Sequence, residues 1–180
     1  YLNEVSEAAK QIGAINTIIV VRDKDNKRLL LGDNTDWLGI MYSIERALKD
    51  NNCTYQGSAG LVIGAGGTSR AALYALHHLG ISPIYLFNRT LANAQSLAAT
   101  FPSEYGIIII PSLSEPLSSP PQIIVSTIPA TADVEIPKEI LKFTEISKNK
   151  VGVIVEMAYK SRKTKLLQVA ESFGNGRWIG

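Results

Sequence analysis

The stretch LVIGAGGTSRA, residues 61–71, decides the fold class of this chain of 180 residues. Its apolar residues predict the end of a buried strand, and the small residues after the glycines predict the start of a helix. A strand that passes through glycines directly into a helix is typical of a turn that binds nucleotide phosphates. Gly64 permits the tight turn, and Gly66 lets a phosphate approach the backbone without a Cβ atom in the way.

The pattern of this turn leaves two interpretations open. The dinucleotide-binding pattern G-x-G-x-x-G is met at Gly64 and Gly66, but Ser69 stands at its third position. A single match of this kind also occurs in turns that only connect a strand to a helix. Residues elsewhere in the chain must therefore decide between a phosphate site and a purely structural turn.

The chain around this turn alternates strands with helices. The predicted strands cover residues 60–63, 84–87, 107–110, 123–126 and 151–156, and the predicted helices cover residues 35–49, 69–79, 91–101, 138–143 and 164–173. The strands are nearly continuous runs of Val, Ile and Leu, which is typical of a parallel sheet that helices cover on both faces. We therefore expect an α/β fold with a doubly wound, Rossmann-like parallel sheet.

The N-terminal segment has a different pattern. Residues 2–11 predict a helix that Gly13 ends, and residues 14–21 and 28–31 predict a hairpin around the turn DKDN. Because the chain begins at Tyr1 rather than Met and is predicted to become helical almost at once, we expect that it starts inside a larger protein.

The composition favours a soluble globular protein, since 46% of the residues are hydrophobic and 19% are charged. No apolar run approaches the ~20 residues of a membrane span, and no leader opens the chain. The net charge of +2 is not gathered into basic blocks, which argues against nucleic-acid binding. Cys53 is the single cysteine, as is typical of a reducing compartment. We expect a cytoplasmic protein with no membrane partner, no nucleic-acid partner and no metal site.

A second segment favours a cofactor with a phosphate on its ribose. Asn88-Arg89-Thr90 follows the predicted strand 84–87, where dinucleotide-binding folds recognise the adenosine ribose. An NAD site usually offers a carboxylate there, whereas Arg89 can bind a 2′-phosphate bidentately and Thr90 begins a helix whose N-terminus attracts anions. The alternative is that Arg89 is a solvated loop residue and Thr90 only caps the helix. Together with the glycine turn, this segment favours NADP.

A third segment, GDNTDW at residues 32–37, lies at the start of the predicted helix 35–49. Asp33 or Thr35 would cap this helix, and Asp36 would be a favourable negative charge in its first turn. Capping and charge explain the segment without any catalytic role. A role for Asp36 in catalysis therefore needs evidence from outside the segment.

Several segments in register resemble one family of enzymes. GAINT at residues 13–17, GDNTDWLG at 32–39, GAGG at 64–67 with Arg70, and Asn88-Arg89-Thr90 occur in the order and spacing of the shikimate dehydrogenase family. The resemblance covers essentially the whole chain. EMAYKSRKT at residues 156–164 most resembles the shikimate dehydrogenase region of fungal pentafunctional AROM polypeptides.

This resemblance implies NADP-dependent reduction of 3-dehydroshikimate to shikimate in aromatic amino acid biosynthesis. Asn16 and Tyr159 match substrate-binding residues, and Met157 matches a residue that lines the nicotinamide pocket. Asp36 matches a catalytic, substrate-binding aspartate that pairs with a lysine around the reacting hydroxyl. The other implied cofactor-binding residues are Gly64, Ala65, Gly66, Gly67, Thr68, Asn88, Arg89 and Thr90.

The resemblance also implies a division of the chain. Residues 1–35 would be a remnant of the substrate-binding domain and residues 36–180 the NADP-binding domain. We expect covalent fusion to other shikimate-pathway domains, and we leave a homodimer open. The family's catalytic lysine precedes the segment that this chain contains, so we expect little or no turnover from these residues alone.

Local departures from the family pattern and two other functions also bear on the interpretation. Ser126-Thr127-Ile128 replaces Asn-Ala-Thr, and Asn93 replaces a second phosphate-binding arginine of some relatives. A quinate dehydrogenase is one alternative, although its NAD-using members are expected to carry an acidic residue near Arg89. A non-catalytic repressor of the quinate pathway is the other, and the retained Asn16 and Asp36 favour an enzyme over it.

Overall fold

The computed structural model describes residues 2–132, 134–143, 150–161, 163–173 and 177–180. The first strands of the chain form a small sheet with the order β1-β3-β2. These strands are β1 (Glu4–Val5), β2 (Thr17–Arg22) and β3 (Arg28–Asp33). Strands β2 and β3 pair as the predicted antiparallel hairpin, and β1 runs parallel to β3.

The helix predicted at residues 2–11 is wrong in its first half. Helix α1 (Glu7–Ile12) begins after Ser6, whose hydroxyl accepts a hydrogen bond of 3.1 Å from the amide of Ala9. The residues before Ser6 form β1 because they pair with Leu31 and Gly32 of β3, a distant contact that local spacing does not reveal. Gly13 ends the helix as predicted, in the left-handed conformation with φ of 71°.

A second sheet holds the remaining strands in the parallel order β6-β5-β4-β7-β8-β9. Its strands are β4 (Ala59–Ile63), β5 (Ile84–Phe87), β6 (Ile107–Ile110), β7 (Pro121–Ser126), β8 (Gly152–Glu156) and β9 (Trp178–Ile179). This order is that of the doubly wound dinucleotide-binding sheet. The chain adds β5 and β6 on one side of β4 and then adds β7, β8 and β9 on the other side. The predicted α/β fold is confirmed.

Helices cover both faces of this sheet, with one hydrophobic core on each. The longer helices are α2 (Asp36–Asp50), α3 (Gly67–His78), α4 (Leu91–Ala98) and α5 (Lys165–Phe173). Successive residues of a strand point to opposite faces, so Val62 enters the core under α2 and α3 while Leu61 and Ile63 enter the core under α5. Because both faces of β4, β5 and β7 are buried, most residues of these strands are apolar.

Two predicted helices are shorter in the structure, and the hairpin is exposed. Helix α4 ends at Ala98 rather than at 101, and the helix predicted at 138–143 is a single 3-10 turn, Lys138–Leu141. Strand β2 lies at the edge of the small sheet, and its residues Ile18, Ile19 and Val20 are 59%, 43% and 53% exposed. Within the described ranges, no helix combines the length and apolarity needed to cross a membrane.

Candidate functional site

The glycine turn has the geometry that a phosphate site requires. Gly64 follows β4 with φ of 119°, a conformation that side chains rarely adopt, and a Cβ atom on it would collide with the Thr127 hydroxyl. A Cβ atom built on Gly66 or Gly67 would meet no atom within 4 Å. Helix α3 begins at Gly67, so the amides of its first turn have no acceptor within the helix. Open space in front of a helix N-terminus fits a pyrophosphate.

Ser69, at the third glycine position of the motif, makes side-chain hydrogen bonds that a glycine could not make. Its side chain is fully buried, and its hydroxyl accepts a hydrogen bond of 2.9 Å from the Gly66 amide. The same hydroxyl lies 2.7 Å from the Thr127 hydroxyl, on the chain that leaves β7. Ser69 therefore ties the turn to the neighbouring strand, a role that its place in the motif did not predict.

The structure brings the Asn88-Arg89-Thr90 segment to the same cleft as the glycine turn. A cleft of about 290 Å³ is lined by Gly64, Asn88 and Arg89, and also by Ile128, Pro129, Thr131, Ala132 and Val134. The Asn88 side chain donates to the Thr90 carbonyl oxygen at 2.8 Å, which holds the segment in a turn. Thr90 precedes α4 but makes no capping hydrogen bond with its side chain. The cleft opens at the carboxyl ends of β4, β5 and β7, where doubly wound sheets bind their ligands.

Helix α2 is capped by Asn34, which lies between the two predicted caps, Asp33 and Thr35. Thr35 makes no side-chain capping bond, and the Asp33 carboxylate instead accepts from the Ser6 hydroxyl and the Asn34 amide. The buried Asn34 caps the helix, because its Oδ1 accepts from the Asp36 amide at 3.1 Å and its Nδ2 donates to the Ala14 carbonyl at 3.1 Å. Asparagine ranks among the best capping residues, and that ranking was the available signal.

Asn16 and Asp36, for which the resemblance implies substrate binding, meet at the start of α2. The Nδ2 of Asn16 donates to Oδ1 of Asp36 at 2.6 Å. The Oδ1 of Asn16 accepts from the Thr35 amide at 3.0 Å and from the Thr17 hydroxyl at 2.8 Å, which determines the orientation of the amide group. Because Asn34 caps the helix, the Asp36 carboxylate makes no capping hydrogen bond.

The pair presents one donor beside one acceptor. The second Nδ2 hydrogen of Asn16 and the Oδ2 atom of Asp36 have no hydrogen-bond partner in the part of the chain that the structure describes. A hydroxyl group both donates and accepts, so it can satisfy the two atoms together. The arrangement therefore suits a ligand that carries a hydroxyl group.

Met157 and Tyr159 lie on the segment that follows β8. The Met157 amide donates to the Ser126 carbonyl at 2.9 Å, and the side chain packs against the core under α2 and α3. The Glu156 carboxylate holds both ends of the segment, accepting from the Ala158 amide at 3.1 Å and the Thr164 hydroxyl at 2.7 Å. Tyr159 is 91% exposed and makes no hydrogen bond to another described residue, so its role stays a prediction.

Arg70 joins the glycine turn to the segment that carries Asn16. Its guanidinium group donates to the Ile12 carbonyl at 3.4 Å, at the C-terminal end of α1, and to the Thr100 hydroxyl at 3.0 Å. Trp37, the neighbour of Asp36, packs edge-on against Tyr74 of α3 with ring centroids 5.1 Å apart. Helix α3 therefore contacts both segments of the Asn16–Asp36 site. No group of three or more potential metal ligands occurs among the described residues.

Known proteins have a similar sequence and a similar fold. The family model described as shikimate / quinate 5-dehydrogenase matches residues 45–159, more than half of the chain. The pentafunctional AROM polypeptide of Schizosaccharomyces pombe is 48% identical over 177 residues, which cover 94% of this chain and 11% of that polypeptide. This chain thus spans about a tenth of the length of that relative.

Solved structures agree with the family match. Dehydroquinate dehydratase and shikimate dehydrogenase from S. pombe AroM matches with a TM-score of 0.75 and 45% identity, over 96% of this chain and 33% of that one. Shikimate 5-dehydrogenase from Thermus thermophilus, in complex with NADP(H) and shikimate, matches with a TM-score of 0.65 and 28% identity, over 96% and 58%. Because the family model matches residues 45–159 and the sequence is 48% identical to the AROM relative over 94% of this chain, the chain belongs to the shikimate/quinate 5-dehydrogenase family.

Proposed function

We propose that this chain supplies the NADP site and part of the substrate site of a shikimate dehydrogenase, which reduces 3-dehydroshikimate to shikimate. The observation that carries the proposal is the cleft that Gly64, Asn88 and Arg89 line together. A phosphate-binding turn and an arginine at the end of the next strand are the two parts that recognition of NADP requires. The relative from Thermus thermophilus, solved with NADP(H) and shikimate, supports it.

On the substrate side, Asn16 and Asp36 would bind a ring hydroxyl through their free donor and acceptor. Their mutual hydrogen bond of 2.6 Å fixes both side chains before substrate arrives, so little side-chain entropy is lost on binding. On the cofactor side, the amides of Gly67 and Thr68 and the guanidinium of Arg89 would hold the phosphates. The reduced cofactor, when bound, supplies the hydride for the C3 carbonyl.

The developing alkoxide needs a proton, and Asp36 would hold and orient the lysine that the family resemblance implies as its donor. Within the described residues, no basic side chain lies within the 4.0 Å ion-pair distance of the Asp36 carboxylate. We therefore propose that these residues alone give little or no turnover. The segment that carries the lysine would restore it.

We further propose that residues 1–35 belong to the substrate-binding domain and residues 36–180 to the NADP-binding domain. The small sheet that ends at Asp33 is separate from the large parallel sheet, which supports this division. The exposed apolar strand β2 suits a strand within a larger substrate domain. The length of the AROM relative supports covalent fusion to other shikimate-pathway domains, and a single cysteine supports a cytoplasmic location.

A comparison of NADP⁺ with NAD⁺ binding tests the cofactor proposal. We expect the chain to bind NADP⁺ at least about tenfold more tightly, because Arg89 pairs with the 2′-phosphate. Arg89→Asp should remove that preference, whereas Arg28→Asp on the exposed hairpin should keep it. Titration calorimetry measures both affinities. A preference for NADP⁺ that survives Arg89→Asp refutes the role of this arginine.

Quinate dehydrogenase is the second candidate, since the matching family model is described by both substrates. The ratio of kcat/KM for shikimate over quinate distinguishes the two when it is measured on the full-length polypeptide that contains this chain. We expect a ratio well above one with NADP⁺. A ratio below one assigns the chain to quinate instead.

A further inference from the structure

One series of hydrogen bonds runs from the Gly66 amide through the hydroxyls of Ser69 and Thr127 to the Ile63 carbonyl. The Thr127 hydroxyl donates to the Ile63 carbonyl at 2.9 Å, and this uses its single hydrogen. At 2.7 Å, the Ser69 hydroxyl must therefore be the donor to Thr127. Ser69 then accepts from the Gly66 amide at 2.9 Å. Each hydroxyl in this series donates once and accepts once.

These hydrogen bonds connect the two segments that carry Gly64 and Ile128, which line the cleft from opposite strands. Gly66 and Ser69 belong to the turn after β4, whereas Thr127 begins the loop after β7. Strands β4 and β7 are parallel neighbours, and between them the order in which the chain adds strands to the sheet reverses. The Thr127 amide also donates to the Ile63 carbonyl at 2.9 Å, so backbone and side chain attach this loop to the end of β4.

The same hydrogen bonds decide which amides remain for a ligand. The Gly66 amide is already used by Ser69, so Gly66 contributes space and not a donor. Gly67 and Thr68 retain amides at the N-terminus of α3 that have no acceptor within the helix. The position of these amides relative to the loop after β7 is set through Ser69 and Thr127.

We propose that Thr127 is a positioning residue for the cofactor pyrophosphate, acting through Ser69 on the glycine turn. The inference rests on the proposed NADP function. The structure connects the hydroxyl of Thr127 with Ser69 and, through Ser69, with the Gly66 amide. Ser69 is fully buried, and loss of its acceptor would leave its hydroxyl free to rotate away from the Gly66 amide.

Thr127→Val tests this proposal because it removes the hydroxyl and keeps the shape of the side chain. The probes are NADP⁺, which contains the pyrophosphate, and adenosine 2′-monophosphate, which contains only the part that Arg89 would bind. We expect Thr127→Val to weaken NADP⁺ binding about tenfold and to leave adenosine 2′-monophosphate binding within about twofold. Thr127→Ser restores the hydroxyl and should bind NADP⁺ like the unaltered chain.

Two further variants separate positioning from general damage. Thr54→Val makes the same change at an exposed residue before β4 and should leave both affinities unchanged. Ser69→Ala should weaken NADP⁺ binding as Thr127→Val does. The double variant should be no weaker than the weaker single variant, because both break one chain of hydrogen bonds.

The outcomes distinguish this inference from the proposed function. If the unaltered chain binds neither probe, the NADP function itself fails and the inference fails with it. If the unaltered chain binds NADP⁺ and Thr127→Val binds it equally well, the function stands and the role of Thr127 is overturned. Equal losses for both probes also overturn it, since they indicate damage to the whole cleft.

Discussion

The side-chain amide of Asn16 donates a hydrogen bond of 2.6 Å to the carboxylate of Asp36, across 20 residues of sequence. The hairpin brings the two residues together. Asn16 lies just before β2, and its backbone amide donates to the Asp33 carbonyl at the end of β3 at 3.1 Å. Asp36 starts α2 three residues later. The pair therefore joins the small sheet to the first helix on the large sheet.

We expect Asp36→Asn to lower kcat for 3-dehydroshikimate reduction at least about hundredfold, because the neutral amide cannot hold the protonated lysine that gives its proton to the developing alkoxide. Its NADP⁺ affinity should stay within about twofold, since the cleft does not involve Asp36. Steady-state kinetics of the full-length polypeptide measure the first and calorimetry the second. Asp25→Asn in the hairpin turn is the matched control. More than a tenth of the rate in Asp36→Asn would contradict the assignment.

Two glycines of the same turn should respond differently to alanine. Gly64→Ala should lower the free energy of unfolding by about 2 kcal/mol, because its φ of 119° is strained for alanine and the new Cβ meets the Thr127 hydroxyl. Gly66→Ala has φ of −99° and open space, so it should stay folded and lose NADP⁺ binding at least about tenfold. Urea unfolding and calorimetry measure the two effects. The reverse pattern would show that Gly66 does not face the phosphate.

Gln122→Leu should destabilise the fold by about 3 kcal/mol. Gln122 is fully buried, accepts from the Ser58 hydroxyl, and donates to the carbonyls of Thr54 at 3.2 Å and Val151 at 3.0 Å. Leucine would leave these groups without partners at the amino ends of β4, β7 and β8. The control is Gln95→Leu on the exposed side of α4, expected within about 0.5 kcal/mol of the unaltered chain in urea unfolding. A loss below about 1 kcal/mol for Gln122→Leu would contradict the network's importance.

The stability of the fold should decrease as the pH falls below about 6.5. Burial lowers the pKa of His77, the nearby His78 lowers it further, and Glu104 opposes them. Because its pKa is lowered in the folded state, His77 takes up a proton first in the unfolded chain as the pH falls. The contribution of neutral His77 to the free energy of unfolding is therefore complete above pH 6.5 and is lost as the pH falls further. His77 stacks on Tyr105 with ring centroids 3.8 Å apart.

His77→Phe keeps a stacked ring and removes the titration. Urea unfolding of both forms between about pH 5 and pH 8 should give a steeper pH dependence for the unaltered chain. His78 is present in both, so the difference arises from the titration of His77 and its repulsion with His78. Identical slopes would refute the explanation.

Local patterns predicted most elements of the large sheet. Strands β5 and β6 occupy the predicted residues 84–87 and 107–110, because runs of β-branched residues bounded by turns identify buried strands. The two-residue strands β1 and β9 were missed. They exist only through pairing, β1 with β3 and β9 with β8, and two residues carry no period to recognise.

The sequence by itself determined the alternation of strands and helices, the glycine turn after β4 and the arginine after β5, since these depend on neighbouring residues and their steric limits. Only the tertiary structure decided that Asn16 holds Asp36 and that Ser69 reaches Thr127, 58 residues away. Hydrogen bonds between distant residues depend on how the strands are ordered in space. For that reason the sequence predicts the candidate site residues, and packing determines which of their atoms lack a hydrogen-bond partner among the described residues.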